Sequence, residues 1–163
     1  KHRIECWGFL FREKKYPRKI EIEAVKKYDV PTSFYEKLHN GEDYIKENNM
    51  VIKNELLTSA TTSPKTYAYC ADTIYDEELI SKIKNVDLLY HEATYLHALQ
   101  VKASNRFHCT SIEAATIAKK ASVKKLLLGH FSSMYESLDD FKTEACSVFE
   151  NTELAIEGIC YTV

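Results

Sequence analysis

From residue 66 onward the sequence alternates apolar, strand-like runs with helical patterns, and this alternation limits the folds open to the chain. It predicts an α/β fold, in which helices flank a sheet. The chain has 163 residues and a mass of 18.8 kDa, which is about the length of one domain. The strand-like runs are "TYAYCAD", "VDLLYHE", "KKLLLGH" and "TELAIEGICYTV", and the helical segments are "DEELISKIK", "TSIEAATIAKKA" and "SLDDFKTEACSVF".

Two of these helices carry a start signal. Thr110 followed three residues later by Glu113 is a capping-box signature, and Ser137 with Asp140 repeats that spacing. The apolar residues that follow recur at helical spacing, so we expect them to face the core. They are Ala114, Ile117, Ala118 and Ala121 in the first helix and Phe141, Ala145, Val148 and Phe149 in the second.

The pattern before residue 66 is weaker. We expect a loosely organised arm at 12–66 rather than a second core. The local signals predict a strand at 4–11, a short helix at 20–28, a helical piece from Pro31 that Asn40-Gly41 terminates, a hairpin around Asn48-Asn49 and a polar loop at 58–65.

Composition excludes several classes of protein. With 45% hydrophobic and 28% charged residues the chain is neither disordered nor fibrous, and no apolar run approaches the roughly 20 residues of a membrane helix. We therefore expect a cytoplasmic protein with no membrane partner. The five cysteines contain no C-x-x-C pair, which favours reduced thiols over disulfides or a zinc knuckle. The net charge of −2 argues against broad attraction to nucleic acid, and the basic clusters at 12–19 and 119–125 are typical of solvated surface.

Three successive apolar strands end in side chains that can bind metal or move protons. Asp72 follows the first, His91 and Glu92 end the second, and His130 follows the third. Ligands collect outside such strand ends, so the coincidence favours metal or acid/base chemistry over structural histidines. Aspartate and neutral histidine suit zinc or a similar divalent ion, with Asp72 as a candidate bridge between two ions. The irregular spacing of these residues is also compatible with a buried hydrogen-bond network. Three ligands are too few for a two-metal centre, so either the site holds one ion or further ligands lie elsewhere.

His108 precedes the capped helix. At that position it could meet an anionic phosphate or donate a proton, and an exposed loop histidine is the equally weighted alternative. Neither His39 nor His97 lies at a strand end beside other polar residues, so both are interpreted as surface residues.

The motifs "CADT", "HEAT", "FHCTS" and "GHFSSMY", preceded by "HRIECWGFLFRE", occur in this order along nearly the whole chain. Together they resemble the C-terminal half of the ribonuclease Z family, endoribonucleases that remove the 3′ trailer from precursor tRNA. The resemblance implies the C-terminal half of a metallo-β-lactamase αββα sandwich, an α/β fold that some schemes class as α+β. Residues 1–163 would then form half of one domain, with 12–66 as a protruding arm that grips tRNA from the other subunit of a homodimer.

The resemblance also implies roles for individual residues. His2, Asp72 and His130 match zinc ligands of a two-zinc centre, and Asp72 matches the carboxylate that bridges the ions. His108 matches a catalytic histidine beside the scissile phosphate, and Glu92 matches a supporting acid that orients a neighbouring imidazole. His91 would then support the site through packing and hydrogen bonding rather than bind metal.

One family motif is absent from the chain. The resemblance implies that most zinc ligands and the general base come from H-x-H-x-D-H, which this sequence does not contain. We therefore expect the sequence to begin midway through the domain, and to bind zinc poorly and leave RNA uncleaved on its own. Two alternatives remain: another metallo-β-lactamase-fold phosphodiesterase acting on small nucleotides or esters, and a catalytically silent RNA-binding or dimerisation module.

Overall fold

The structure, a computed structural model, describes all residues from 1 to 163 and divides into two compact units. The main unit consists of Lys1–Glu13 and Lys65–Val163, and the inserted unit is Lys14–Pro64. The strands are β1 (Phe9–Arg12), β2 (Lys19–Ile20), β3 (Tyr44–Ile45), β4 (Val51–Ile52), β5 (Thr58–Ser59), β6 (Thr66–Cys70), β7 (Leu88–Glu92), β8 (Lys125–Gly129) and β9 (Thr152–Leu154). The α-helices are α1 (Ile22–Lys27), α2 (Tyr35–His39), α3 (Asn54–Leu57), α4 (Glu78–Lys82), α5 (Gln100–Asn105), α6 (Ser111–Lys120) and α7 (Asp139–Val148), and 3₁₀ turns at Thr32–Phe34 and His97–Leu99 precede α2 and α5.

The main unit is built on one five-stranded sheet in the order β1-β6-β7-β8-β9. β6 to β9 run parallel, and β1 pairs antiparallel with β6 at the edge. Helices form each crossover between the parallel strands: α4 after β6, α5 and α6 after β7, and α7 after β8. Because parallel strands end at the same edge of a sheet, the residues that follow β6, β7 and β8 are brought together.

One face of the sheet packs on the helices. Leu89, Leu126 and Leu128 of the central strands are fully buried against the apolar face of α6 and against Phe141 and Ala145 of α7. The predicted capping box of α6 is confirmed, because the Thr110 hydroxyl accepts from the Glu113 amide while the Glu113 carboxylate accepts from the Thr110 amide. Its predicted apolar residues, Ala114, Ile117, Ala118 and Ala121, are all completely buried.

The opposite face of the sheet carries a row of aromatic side chains. Tyr69 and Tyr90 stack with their ring centroids 4.7 Å apart, and Phe11 stacks on Tyr67 at 5.8 Å. Phe9 continues the row on the edge strand, where 55% of its surface is exposed. The sheet therefore presents an apolar surface on the side that the helices leave open.

Three local predictions are wrong in detail, and one helix was missed. The first strand covers 9–12 rather than 4–11, because its ladder to β6 begins only at the pair Phe9 and Tyr69. The last strand covers only 152–154. Helix α7 is not capped by Ser137, whose hydroxyl instead bonds the carboxylate of Asp139. Helix α5 and the turn before it, at 97–105, were not predicted at all.

The inserted unit has a hydrophobic core of its own, so the prediction of a loosely organised arm is wrong. Val25, Val30, Leu38, Ile52 and Leu57 pack together with at most 7% of their surfaces exposed. The predicted hairpin is confirmed: β3 and β4 pair antiparallel around Asn49, whose φ of 62° makes the turn. The predicted helix stop is confirmed as well, since Gly41 follows α2 with a φ of 91°.

None of the helices in the chain has the length and apolar character needed to cross a membrane.

Candidate metal centre

Three predicted site residues meet at the common end of the parallel strands. Asp72 follows β6, His130 follows β8, and His108 lies in the loop before α6. One potential ligand atom from each lies within 4.8 Å of the other two, and His130 Nδ1 is 3.4 Å from Asp72 Oδ1. A carboxylate oxygen and two imidazole nitrogens thus converge on one small volume at the sheet edge.

Glu92, the last residue of β7, lies behind this group and has no exposed surface. Its Oε1 accepts from the Thr73 amide at 3.1 Å and from His108 Nδ1 at 2.8 Å. Its Oε2 accepts from the Thr94 amide at 3.0 Å and from the Thr94 hydroxyl at 2.8 Å. Both oxygens of Glu92 are thus occupied by donors from the protein.

Thr94 connects the two histidines of the group. Its Oγ1 lies 2.9 Å from His130 Nδ1 and 3.1 Å from His108 Nδ1. A carboxylate only accepts hydrogen bonds, so the single hydroxyl proton of Thr94 goes to Glu92 and Oγ1 accepts from His130 Nδ1–H. By the same reasoning His108 Nδ1–H donates to Glu92. The network therefore assigns the Nδ1–H tautomer to both imidazoles and leaves both Nε2 atoms free.

The backbone is held in an uncommon conformation on either side of the group. His130 has a φ of 59° and Phe107, next to His108, has a φ of 60°. Left-handed conformations are costly for side chains of this size and persist where the surroundings impose them. The rings of His108 and His130 stack with centroids 5.4 Å apart.

His2 lies beside this group but is not one of its three members. Its Nδ1 is 2.9 Å from the carbonyl oxygen of Phe107, to which it donates, and its ring centroid is 5.2 Å from that of His108. This hydrogen bond places a proton on Nδ1 and leaves Nε2 of His2 free, as in the other two histidines.

His91 points to the helix-packed face and is completely buried. Its Nδ1 bonds the carbonyl oxygen of Glu92 at 2.7 Å, and its Nε2 has no partner. Burial lowers the pKa of His91, because water is not available to solvate the imidazolium. The ring therefore remains neutral, and its position agrees with the supporting role inferred from the sequence.

Sequence reasoning missed Thr94, although it lies inside the "HEAT" motif. A hydroxyl two residues beyond a strand has no spacing signature of its own. The prediction that His97 is a surface residue is only partly right, because its Nδ1 is buried without a partner. His39 is exposed, as expected, and its Nδ1 bonds the carbonyl oxygen of Arg18 at 2.6 Å.

No protein-family model matches the chain. Among curated proteins it is 43% identical over 163 residues to Ribonuclease Z from Bacteroides thetaiotaomicron, covering 100% of the chain and 52% of that protein. It is 42% identical to Ribonuclease Z from Parabacteroides distasonis, covering 100% of the chain and 54% of that protein.

The chain also superposes on solved structures. The metallo-β-lactamase fold protein YhfI from Bacillus subtilis superposes with a TM-score of 0.55 at 29% identity, over 63% of this chain and 44% of that protein. A long form RNase Z from yeast superposes with a TM-score of 0.52 at 31% identity, over 58% of this chain and 13% of that protein.

The sheet and its helices are those of the metallo-β-lactamase fold, as the resemblance implied. Within that class, the chain is a ribonuclease Z homologue along its whole length. It spans about half the length of the curated relatives that it matches.

Proposed function

We propose that the protein containing this chain is a zinc-dependent endoribonuclease that removes the 3′ trailer from precursor tRNA by phosphodiester hydrolysis. The observation that carries the proposal is the convergence of Asp72, His108 and His130 at the ends of parallel strands. Its support is the whole-length similarity to proteins called Ribonuclease Z at 42–43% identity.

The donor set suits zinc. Zinc in proteins takes imidazole nitrogen and carboxylate oxygen, and a histidine ligand commonly donates its other ring N–H to a carbonyl, carboxylate or similar acceptor. We assign His2, Asp72 and His130 as the residues that would hold zinc. When bound, the metal would supply hydroxide near neutral pH and would neutralise charge on the phosphoryl group.

His108 is assigned as the proton donor to the 3′ leaving oxygen. The hydrogen bond from its Nδ1 to the buried Glu92 carboxylate fixes the orientation of the ring. Its Nε2 is then directed away from Glu92, and the side chain is 16% exposed, which leaves it open to a substrate.

His108 also belongs to the three-residue group, so its role as donor or ligand needs a direct test. His108→Ala and His130→Ala can be compared by zinc content and by single-turnover cleavage. We expect His130→Ala to lower zinc content and His108→Ala to retain it while abolishing cleavage. Equal loss of zinc in both variants would make His108 a ligand.

The inserted unit is proposed as the tRNA-binding arm, acting across a homodimer. Lys14, Lys15 and Lys19 supply cations there, whereas Arg18 is tied to Thr58 through its Nε at 2.7 Å. Replacing the three lysines by glutamine should therefore raise KM for precursor tRNA without unfolding the unit. Light scattering checks the dimer, and a strictly monomeric active enzyme would contradict that part.

The overall test compares the complete protein with the 163-residue chain for zinc content and precursor cleavage. We expect cleavage at the 3′ trailer by the complete protein and none by the chain alone. Robust cleavage by the chain would show that its own ligands suffice. Hydrolysis of small phosphodiesters without cleavage of the precursor would favour another metallo-β-lactamase-fold phosphodiesterase instead.

A further inference from the structure

A small cavity lies beside His108 and His2. It has a volume of about 180 Å³. That is several times the roughly 30 Å³ that a water molecule takes in the liquid. Its lining residues are His2, Arg3, Asn105, Arg106, Phe107 and His108.

The arginines that line this cavity give it positive charge that no acidic residue balances. Arg3 and Arg106 both line it, and no aspartate or glutamate does. Both arginines are exposed, and neither guanidinium takes part in an ion pair or a side-chain hydrogen bond of the chain. Two guanidiniums that line one cavity without a carboxylate favour an anion from outside the protein.

Local structure holds Arg106 in place. Helix α5 ends in a Schellman motif, in which the His108 amide donates to the Ala103 carbonyl at 2.9 Å and the Phe107 amide donates to the Ser104 carbonyl at 3.1 Å. The motif needs a left-handed residue, which here is Phe107 rather than the usual glycine. Arg106 and His108 therefore flank one rigid turn and keep a fixed relation to each other.

The same turn anchors Arg3. The ring of His2 donates from Nδ1 to the carbonyl oxygen of Phe107 at 2.9 Å, and Arg3 is the next residue. Arg3 and Arg106 thus reach one cavity from two segments that meet at Phe107, and both lie next to the proposed proton donor.

We propose that Arg3 and Arg106 bind the phosphodiester that adjoins the cleaved one in the RNA. The proposal rests on the proposed function for its substrate. The planar guanidinium of arginine suits a phosphodiester, because the guanidinium can donate two parallel hydrogen bonds to one phosphate and remains charged at every physiological pH. Holding the neighbouring phosphate would position the scissile bond against His108.

The test uses the complete protein carrying Arg3→Gln with Arg106→Gln, and a control carrying Lys84→Gln with Lys119→Gln. The control removes the same charge from exposed lysines at the end of the sheet opposite the site. Two measurements are made at several salt concentrations. The first is binding of a short fluorescent oligoribonucleotide analogue whose bridging 3′ oxygens are replaced by methylene groups, so that it keeps its charges but has no 3′ oxygen that can leave. The second is kcat and KM for precursor tRNA.

We expect the arginine pair variant to bind the oligonucleotide more weakly than the control. The slope of log affinity against log salt should fall by about 0.7 for each phosphate that the variant no longer neutralises, a change that a merely structural role would not produce. KM should rise more than kcat falls. Affinity, slope and KM equal to those of the control would overturn the proposal.

The two measurements separate this proposal from the proposed function. Oligonucleotide binding that depends on the arginines, in a protein that does not cleave precursor tRNA, would support the phosphate site and contradict tRNA processing. Cleavage that is indifferent to both arginines would contradict the phosphate site and leave tRNA processing supported. A wild-type protein that neither binds nor cleaves would overturn both.

Discussion

Glu92 Oε1 lies 2.8 Å from His108 Nδ1, and the carboxylate that accepts this hydrogen bond has no surface exposed to solvent. A buried carboxylate is costly unless its oxygens are occupied, and Glu92 receives four donors. The pair joins the end of β7 to the loop before α6. It therefore makes the orientation of His108 a property of the sheet rather than of a mobile loop.

Removing this carboxylate should reduce turnover more than metal content. In Glu92→Ala the His108 ring loses its acceptor, and loss of such an orienting partner typically costs about 10- to 100-fold in activity. Single-turnover cleavage and zinc analysis of the complete protein measure the two effects. Glu136→Gln, at an exposed site, is the control. A loss of zinc as large as the loss of turnover would make Glu92 a ligand.

The hydroxyl of Thr94 should be required, and its methyl group should not. Thr94→Val leaves one Glu92 oxygen short of a donor and removes the acceptor for His130 Nδ1–H. Each buried group left unpaired costs about 1–3 kcal/mol, so we expect a clear loss of stability in urea denaturation. Thr94→Ser keeps the hydroxyl and should remain close to wild type. Equal stability of the valine and serine variants would show that the hydroxyl network contributes little.

Much of the site follows from rules that act over short distances. The capping signature placed the start of α6, and the apolar runs placed β6, β7 and β8. Parallel strands with helical crossovers must then bring Asp72, Glu92 and His130 to one edge. No long-range information was needed for that step.

The errors have physical causes. Helix α5 has no capping side chain and only Ala103 is buried, so it lacks the start signal and the apolar face that make a helix visible in sequence. Ser137 matched a capping spacing, but its Oγ accepts from the backbone amide of Asp139 rather than from that of Asp140. The run at 4–11 is as apolar as a strand, yet strand length depends on the available partner in β6.

A methyl group at Gly129 should disrupt the end of β8. A Cβ built there would overlap the ring of Tyr90, which crosses the strand just before His130. Overpacking of this kind typically costs about 1–3 kcal/mol, so Gly129→Ala should unfold at lower urea concentration than wild type.

The companion variant Tyr90→Val removes the ring and tests that cause. It loses the stacking with Tyr69, so it should itself be less stable than wild type. In its background, however, Gly129→Ala should cost much less than it does alone. A double-mutant cycle measures this coupling, and strictly additive effects would show that the two residues do not compete for space.

Asp87 should make the protein sensitive to acid. Its Oδ1 accepts from Lys124 Nζ at 2.7 Å and its Oδ2 accepts from the Thr66 amide at 2.7 Å, and the side chain is 9% exposed. The hydrogen bond from Lys124 is the largest cause that lowers the pKa of Asp87 to about 2. In the unfolded chain the pKa of this carboxyl is about 3.9, so unfolding is accompanied by the uptake of a proton when the pH lies between these two pKa values. The stabilisation is therefore complete above about pH 4 and is lost as the pH falls toward 2.

Asp87→Asn should remove this contribution. We expect a loss of about 2.5 kcal/mol in the free energy of unfolding at pH 7, from the size of the pKa difference. The difference in unfolding free energy between wild type and variant should narrow as the pH is lowered from about 4 toward about 2.5, because the unfolded wild-type chain then binds a proton at Asp87 that the folded protein does not. Urea denaturation across this range measures both effects, and Glu157→Gln, at an exposed carboxylate, should follow wild type throughout. A gap that stays constant with pH would mean that Asp87 acts through packing and not through its charge.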